Sequence, residues 1–197
     1  MRDAPLKLEG LRERKRRETL QRIAEVGLKL FLTNGYEATT LDEIAQAAGI
    51  SRRTFFYYFK SKDDILLAHL GSYADALKAS VLENSSAAMP LDIARDAMLK
   101  LAARIQSSQM LAVARLIREN EALRDRRQAR HLQLEQALYE ALCALWPGEE
   151  RRDRLRLVAM VSIGAMRLAG DAWFQEDGKR PLAEHIQDAF ENLKAEI

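Results

Sequence analysis

The sequence predicts an all-α protein of about nine helices, with a basic helix-turn-helix head followed by a larger helical body. Three observations predict this class. Apolar residues recur at helical spacing in nearly every segment, glycine (9 of 197 residues) and proline (4) are scarce, and no alternating pattern typical of a strand occurs. The hydrophobic share of 48% and the charged share of 30% are ordinary for a folded globular chain.

The first helix is predicted over residues 12–33, where an apolar stripe repeats every three to four residues and Asn34-Gly35 ends it. Its beginning, "LRERKRRETLQR" from Leu11 to Arg22, holds six basic residues against two acidic ones. Two interpretations stay open for this segment. It is a flexible basic arm that reaches the minor groove or backbone of DNA, or it is a solvated helix start with charge pairs along it.

Two short helices joined by a tight turn follow. Thr40 and Glu43 have the spacing of a capping box, in which each side chain satisfies the other residue's backbone amide. That helix ends at Gly49, which lets the chain reverse sharply, and Ser51 is the next N-cap. Short helix, glycine turn and short helix are the layout of a helix-turn-helix.

The second short helix contains five consecutive aromatic residues, 55–59. At about 100° per residue, its three phenylalanines share one arc, and its two tyrosines share the opposite arc with Arg53 and Thr54. We expect Phe55, Phe56 and Phe59 to hold the head together. The polar arc suits a major groove, because arginine can bind guanine, a threonine methyl can meet thymine and a tyrosine hydroxyl can bind phosphate.

The remaining helices are predicted from apolar spacing and from breaks at serine, proline and glycine. Ser61, with Asp64 at its third position, is the N-cap of the first of them. We divide the chain into a DNA-binding head with its basic arm, 1–62, and a larger helical body, 63–197. The predicted helices of the body are 62–83, 90–105, 109–119, 121–145, 150–175 and 181–195.

The positive charge is concentrated in the first third of the chain. Residues 1–62 hold 13 Lys and Arg against 8 Asp and Glu, although the whole chain has a formal charge of only +2. This asymmetry is expected where one end meets a polyanion such as nucleic acid, and it is equally expected of a solvated basic face.

The sequence also indicates several absences. It starts without the apolar region of a secretory signal, and we see no apolar run approaching the roughly 18 residues that span a bilayer. Its one cysteine, Cys143, cannot form an internal disulfide and is interpreted as filler in an apolar helix end. We therefore expect a cytoplasmic protein with no membrane partner, no metal and no cofactor.

Residues 35–66, "GYEATTLDEIAQAAGISRRTFFYYFKSKDDIL", resemble the head of the TetR/AcrR family of transcriptional regulators. The resemblance implies a homodimeric, ligand-responsive regulator that binds a palindromic operator in double-stranded DNA, most often as a repressor. Features shared with the family are Gly35-Tyr36, Thr39-Thr40, Ile44-Ala45, Ala48-Gly49-Ile50-Ser51, Phe59 and Ser61-Lys62. Positions that match the family's DNA contacts are Thr40, Ser51, Arg52, Arg53, Thr54, Tyr57, Tyr58 and Lys62.

The sequence departs from the family pattern at three positions of the recognition helix. Arg53 stands where the family often has glycine or another small residue, and Tyr58 stands where histidine is frequent. Phe56 stands where the family commonly has a tyrosine that contacts phosphate. We therefore expect one hydroxyl contact to be missing and Arg53 to contact a base that relatives do not touch.

The last two helices are the best candidates for a dimer interface. Residues 155–174 are apolar on more than one side, which is unusual for a surface helix of a monomer. Together with 181–195 they would form a four-helix bundle across a two-fold axis, and burial within one chain is the alternative. The small residues that would let a partner helix approach are Gly164, Ala165, Ala169 and Gly170.

No effector residues are assigned from the sequence. Apolar candidates for an adaptable cavity are Met98, Met110, Met160, Met166, Trp173 and Phe174, each of which also suits ordinary core packing. Candidates for anchoring an anionic effector are Arg104, Arg115, Arg118 and Arg167, which equally suit a solvated helix face.

We do not expect an enzyme. The three histidines, His69, His131 and His185, are scattered, and the sequence contains no glycine-rich phosphate loop, metal-spaced cluster or nucleophile motif. Two further alternatives stay open: a helical architectural protein that binds DNA without an effector, and a transcriptional activator in place of a repressor.

Overall fold

The computed structural model describes residues 10–84, 89–103, 107–119 and 121–196. Within them the protein is all-α, with nine α-helices, one 3-10 turn and no strand, which confirms the predicted class. The helices are α1 Leu11–Asn34, α2 Leu41–Ala47, α3 Arg52–Tyr58, α4 Lys62–Leu82, α5 Pro90–Ala102, α6 Ser107–Glu119, α7 Glu121–Leu145, α8 Arg152–Gln175 and α9 Leu182–Glu196, and the 3-10 turn is Glu149–Arg151.

The chain divides into two compact units, Met1–His69 and Leu70–Ile197. This division falls seven residues after the boundary we placed at residue 62, because the first turns of α4 pack within the head. Ile65 and Leu66 are buried there. A Cβ atom on Gly27 of α1 would lie only 2.8 Å from Cγ2 of Ile65, so glycine is needed for the two helices to approach this closely.

The head is built on local caps that the sequence predicts. The capping box between Thr40 and Glu43 is confirmed, with both reciprocal hydrogen bonds present. Gly49 adopts the left-handed φ of +67°, and the amide of Ile50 donates to the carbonyl of Ala45 across the turn. These contacts place α3 directly after a sharp reversal, as a helix-turn-helix requires.

In the second unit the core lies between α8 and the helices α5, α7 and α9 that pack on it. Its largest buried side chains include Leu138 of α7, Ile163 of α8 and Phe190 of α9. Met98 of α5 is buried among them, so it is a core residue.

By length and composition alone, one helix in the described residues, Glu149–Gln175, is long and apolar enough to cross a membrane. The sequence has no uninterrupted apolar run of this length, because Arg167 and Asp171 interrupt it. The mean hydropathy of the helix is nevertheless high enough to meet the criterion. Seven of the residues in α8 are buried, and Asp171 forms an ion pair with Arg118 of α6. The helix is therefore packed as the central helix of the second unit.

Candidate nucleic-acid interface and effector cavity

Helix α3 is held in place from both of its ends. The amide of Thr54 donates to the hydroxyl of Ser51 at 3.1 Å, and the two hydroxyl oxygens lie 2.8 Å apart. Phe55 and Phe59 are buried, with ring centroids 5.8 Å apart, which confirms both as core residues of the head. The helix can present its other side because these two rings fix its rotation.

The outward side of α3 carries the polar side chains that the sequence placed there. Tyr57 is 70% exposed and Arg53 is also exposed, whereas Thr54 and Tyr58 are half-buried. The rings of Tyr57 and Tyr58 are perpendicular, with centroids 5.1 Å apart. Arg53 forms no ion pair or hydrogen bond with any described residue, so its guanidinium can bind a nucleic acid without first breaking a contact.

The prediction that Phe56 helps to hold the head together is wrong. Its side chain is 46% exposed, and its ring covers Phe55 edge to face at 5.7 Å. The guanidinium carbon of Arg52 lies 5.8 Å from the centre of the Phe56 ring. The helical angle placed Phe56 at the edge of the side that faces the core. The neighbouring helices cover only a narrow part of the seven-residue α3, and this edge lies outside the covered part.

Two predicted DNA-contact cations are already engaged within the head. The Arg52 guanidinium is 2.8 Å from the Asp42 carboxylate of α2, in a pair that is largely exposed and therefore weak. The Lys62 ammonium donates to the carbonyls of Tyr36 at 2.8 Å and Glu37 at 3.2 Å and lies 4.7 Å from the Tyr36 ring. Lys62 thus has a structural task that the sequence pattern did not indicate.

The hydroxyls at the two helix starts are N-caps. That of Thr40 accepts from the amide of Glu43 at 3.2 Å, while the Glu43 carboxylate accepts from the Thr40 amide at 2.7 Å. The Thr40 hydroxyl also donates to the Glu43 carboxylate at 2.9 Å, and the two bonds that the carboxylate accepts, first from the Thr40 amide and then from this hydroxyl, lower the pKa of the Glu43 carboxyl. Thr40 and Ser51 therefore fix the starts of α2 and α3.

The basic segment 11–22 is the first half of α1 and is helical throughout. Its side chains are mostly exposed, and Arg14 pairs with Glu18 one turn later at 2.8 Å. Of the two interpretations, the structure agrees with a solvated helix start that carries charge pairs. The resulting surface is basic and open to solvent.

The second unit contains a cavity of about 160 Å³ lined by residues from α4 and from each helix α5 to α9. Six of the sequence candidates line it: Met110, Arg118, Met166, Arg167, Trp173 and Phe174. The other candidates do not. Met160 is exposed, Met98 belongs to the core and Arg115 pairs with Asp177 at 3.0 Å, while Arg104 lies outside the described residues.

The cavity also has polar residues that sequence reasoning missed, among them Tyr73, Arg130, His131 and Asp171. Burial raises the pKa of the Tyr73 hydroxyl, and the nearby Arg130, 5.3 Å from its ring, acts in the opposite direction. Only the breaks in helical polarity, such as Asp171 in an apolar run, could have pointed to these residues.

Arg118 closes one side of the cavity with two contacts to α8. Its guanidinium is 2.9 Å from the Asp171 carboxylate and 3.9 Å from the centre of the Phe174 ring. Because both contacts join α6 to α8, they fix the separation of two cavity walls.

The outer face of α8 carries an exposed apolar stripe, defined by Leu157, Met160, Gly164 and Leu168. Leu157 and Leu168 are each more than 60% exposed, and a Cβ on Gly164 would meet nothing within 4 Å. Ala165 and Ala169, which we placed on a partner-facing surface, are instead buried against their own chain. The helical pattern alone could not separate these two faces, since both are apolar.

No three His, Cys, Asp or Glu side chains in the described part of the chain come together in a way that could hold a metal ion. Cys143 is half-buried, and it is a free thiol. The arrangement in the head, a fixed helix with a polar outward face, can contact base edges and phosphates.

Comparison with known proteins agrees with this geometry. A sequence model described as bacterial regulatory proteins, tetR family, matches residues 23–69, from the middle of α1 into α4. The transcriptional regulator TcmR of Streptomyces glaucescens is 26% identical over 95% of this chain and 88% of its own length. The matched segment contains both α2 and α3, so the head of this chain is similar to the tetR family of bacterial regulatory proteins.

Further regulators match over shorter lengths or by fold. AcrR of Shigella flexneri is 46% identical over 48 residues, which are 24% of this chain and 22% of that protein. The TetR-family repressor FadR of Thermus thermophilus, solved in complex with lauroyl-CoA, superposes with a TM-score of 0.61 at 24% identity, covering 89% of this chain and 91% of that one. The FadR likeness shows the fold.

Proposed function

We propose that this protein is a cytoplasmic repressor of the TetR type that binds a palindromic operator as a homodimer and is released by a small-molecule effector. The observation that carries the DNA-binding part is the outward face of α3, where Arg53 is exposed and unpaired within the described residues and Tyr57 is 70% exposed. In this proposal Arg53, Thr54, Tyr57 and Tyr58 contact base edges or phosphates, and Thr40, Ser51, Arg52 and Lys62 support or join the phosphate contacts.

The engaged cations differ in what DNA binding would cost them. Arg52 can exchange its exposed pair with Asp42 for a phosphate at little expense, because such pairs contribute at most about 1 kcal/mol. Lys62 would have to give up two carbonyl acceptors, so we assign it chiefly to holding the loop before α2. The basic beginning of α1 adds phosphate attraction that salt would weaken.

The dimer rests on the exposed stripe of α8. An exposed row of leucine and methionine on a central helix is costly in water and is typical of a surface that another subunit covers. A two-fold protein also suits a palindromic operator, in which two half-sites are related by the same symmetry. In the proposed dimer α8 and α9 of both chains form a four-helix bundle, with Gly164 allowing close approach.

The effector is proposed to bind in the cavity of the second unit, between helices α4 to α9. Helix α4 belongs to both units, since its residues Lys62–Leu82 run across their boundary. An effector that fits one position of α4 better than another would shift the population away from the DNA-binding form. The shift can be no larger than the effector's difference in affinity for the two forms.

Two functions are alternatives to a repressor that is released by an effector. An activator would bind DNA through the same face of α3, and an effector-independent architectural protein would leave the cavity unused. The cavity's mixture of apolar walls and charged side chains favours an effector. We assign no enzymatic activity, since the relatives are transcriptional regulators.

The decisive experiment is selection of bound fragments from the source genome by the purified protein, followed by sequencing. We expect fragments that share two inverted half-sites. Fragments without any common sequence would contradict sequence-specific binding and favour the architectural alternative.

The dimer is tested by sedimentation. We expect a dimer at micromolar concentration, and we expect Leu168→Glu to shift it to monomer while Leu132→Glu does not. Leu132 is equally exposed but lies on α7, outside the stripe. A stable monomer in the unaltered protein would exclude the proposed assembly.

A further inference from the structure

We infer that the cavity of the second unit binds a compact aromatic or similarly sized apolar anion, such as a single-ring carboxylate, with Arg167 as the group that binds its negative charge. This inference rests on the proposed function, because it names the chemistry of the proposed effector. It follows from three properties of the cavity: its charge balance, its unpaired guanidinium and its volume.

The first property is the charge balance of the lining. Three arginines, Arg118, Arg130 and Arg167, line the cavity, and Asp171 is the acidic residue among the described lining residues. Its carboxylate is already paired with Arg118. The three arginines and Asp171 together give the lining a formal charge of +2. A cationic ligand would meet repulsion there, whereas an anion would be attracted into a site with a low-dielectric wall.

The second property is a guanidinium without an acceptor. Arg167 lines the cavity and forms no hydrogen bond or ion pair with any described residue. A guanidinium group is a donor only, and its planar fork matches the two oxygens of a carboxylate. A ligand with a carboxylate can therefore bind Arg167 without first breaking a contact.

The third property is size. The cavity volume of about 160 Å³ is close to the roughly 150 Å³ of an engineered apolar cavity that takes up benzene. It is below the roughly 300–1,000 Å³ typical of pockets for drug-sized ligands. A single ring with one small anionic group therefore fits this form of the cavity, and a long acyl chain carrying a nucleotide does not.

The remaining walls suit a ring. Trp173 and Phe174 present aromatic surface, and Met166 with Val113 of α6 adds flexible and branched apolar contacts. A Cβ atom on Gly170 would meet nothing within 4 Å, although Gly170 lines the cavity. The absence of a side chain at this position leaves space that a ligand ring can occupy.

The test uses three probes with one skeleton: 3-phenylpropanoate, 3-phenylpropanamide and 3-phenylpropylammonium. Their binding to the full chain is measured by isothermal titration calorimetry at two salt concentrations. We expect the carboxylate to bind about tenfold or more tightly than the amide, since charge-assisted hydrogen bonds are about twice as strong as neutral ones. We expect the ammonium compound to bind least.

Two variants locate the interaction. Arg167→Gln should remove the preference for carboxylate over amide while the amide binds as before. The matched control is Arg154→Gln on the same helix, an exposed arginine that does not line the cavity and should leave the preference unchanged. Gly170→Leu should abolish binding of carboxylate and amide alike, because its side chain fills the cavity.

Three results would overturn the inference. They are tighter binding of the ammonium compound than of the carboxylate, no binding of the carboxylate at millimolar concentration, and an unchanged carboxylate preference in Arg167→Gln. Release of operator DNA is measured separately with the same probes. Binding without release would contradict the proposed effector mechanism and leave the inference standing. Release by a neutral or cationic compound alone would support the effector mechanism and contradict the inference.

Discussion

The outward face of the head and the cavity of the second unit hold their polar groups in different surroundings. In the head, the chain itself supplies partners for most polar groups near the candidate interface: Thr40 with Glu43, Ser51 with Thr54, and Lys62 with two carbonyls. In the cavity, Arg118 pairs with Asp171 between largely apolar walls, and Arg167 finds no acceptor among the described residues.

This difference matches the two kinds of recognition that we propose. A surface that contacts DNA gains from groups held in place before binding, because less freedom is lost on association. A cavity for an effector gains from groups that lack partners, since the ligand then supplies them and the donors favour the ligand-bound form. Among the described residues, preformed contacts in the head fix α3 with its unpaired Arg53, and in the cavity the unpaired Arg167 favours an effector that supplies an acceptor.

The largest expected effect concerns the buried ring of Phe55 that fixes α3 in the head. Phe55→Ala should destabilise the protein by about 3–5 kcal/mol, because it empties a fully buried site beneath α3. Phe56→Ala, the adjacent half-exposed ring, should cost about 1 kcal/mol or less. Chemical unfolding followed by circular dichroism measures both. Equal losses would mean that the two rings share the core, as the sequence alone suggested.

The head could be predicted from sequence because its contacts are short-range. Thr40 and Glu43 are three residues apart, as are Ser51 and Thr54, so residue type and spacing are enough to predict these contacts. Two residues of the head are exceptions: Lys62, whose carbonyl acceptors lie 25 and 26 residues away, and Phe56. The angle of Phe56 on the helix was known, but its exposure depends on how wide an arc the neighbouring helices cover, and that is set by tertiary packing.

The cavity could not be predicted in this way because its contacts are long-range. Arg118 and Asp171 are 53 residues apart, and their pairing depends on the positions of α6 and α8. Residues 155–174 are apolar on several sides, so the sequence could not tell that Ala165 and Ala169 face their own core while Gly164 faces outward. Six of the ten residues proposed from the sequence line the cavity. Residue type alone could not separate these six from the other four.

The next effect separates a free cation from an engaged one. Arg53→Ala should weaken specific DNA binding by about 1–3 kcal/mol, since a bidentate base contact is lost, and should change unfolding by no more than about 0.5 kcal/mol. Lys62→Met should instead destabilise the fold by about 1 kcal/mol, because two carbonyl acceptors lose a charged donor.

The measurements are fluorescence anisotropy with the selected operator and chemical unfolding of the same samples. Tyr57→Ala serves as a second test of the exposed face, with the same direction and magnitude expected as for Arg53→Ala. If Arg53→Ala and Tyr57→Ala both leave operator affinity unchanged, the outward face of α3 does not contact bases.

A smaller effect tests the capping box that begins α2. Thr40→Ala should cost about 1 kcal/mol of stability at neutral pH. Since its hydrogen bonds with Thr40 lower the pKa of Glu43 in the folded protein, the stabilisation is present above the ordinary glutamate pKa and is lost as pH falls through the lowered value. The difference between the unaltered protein and Glu43→Gln, measured by thermal unfolding, should therefore shrink on acidification. A difference that grows towards acid pH would contradict the assignment.

The smallest effect compares two glycines of α8 that are six residues apart. Gly164 and Gly170 both have room for a Cβ, the first on the exposed stripe and the second in the cavity. Alanine at either position should favour the helix by about 0.5–1 kcal/mol. Gly170→Ala should show this gain in thermal unfolding at every protein concentration. In Gly164→Ala the gain in thermal stability should become smaller as the protein concentration falls, because the added methyl separates the proposed partner helices. Identical concentration dependence in the two variants would place the dimer contact away from Gly164.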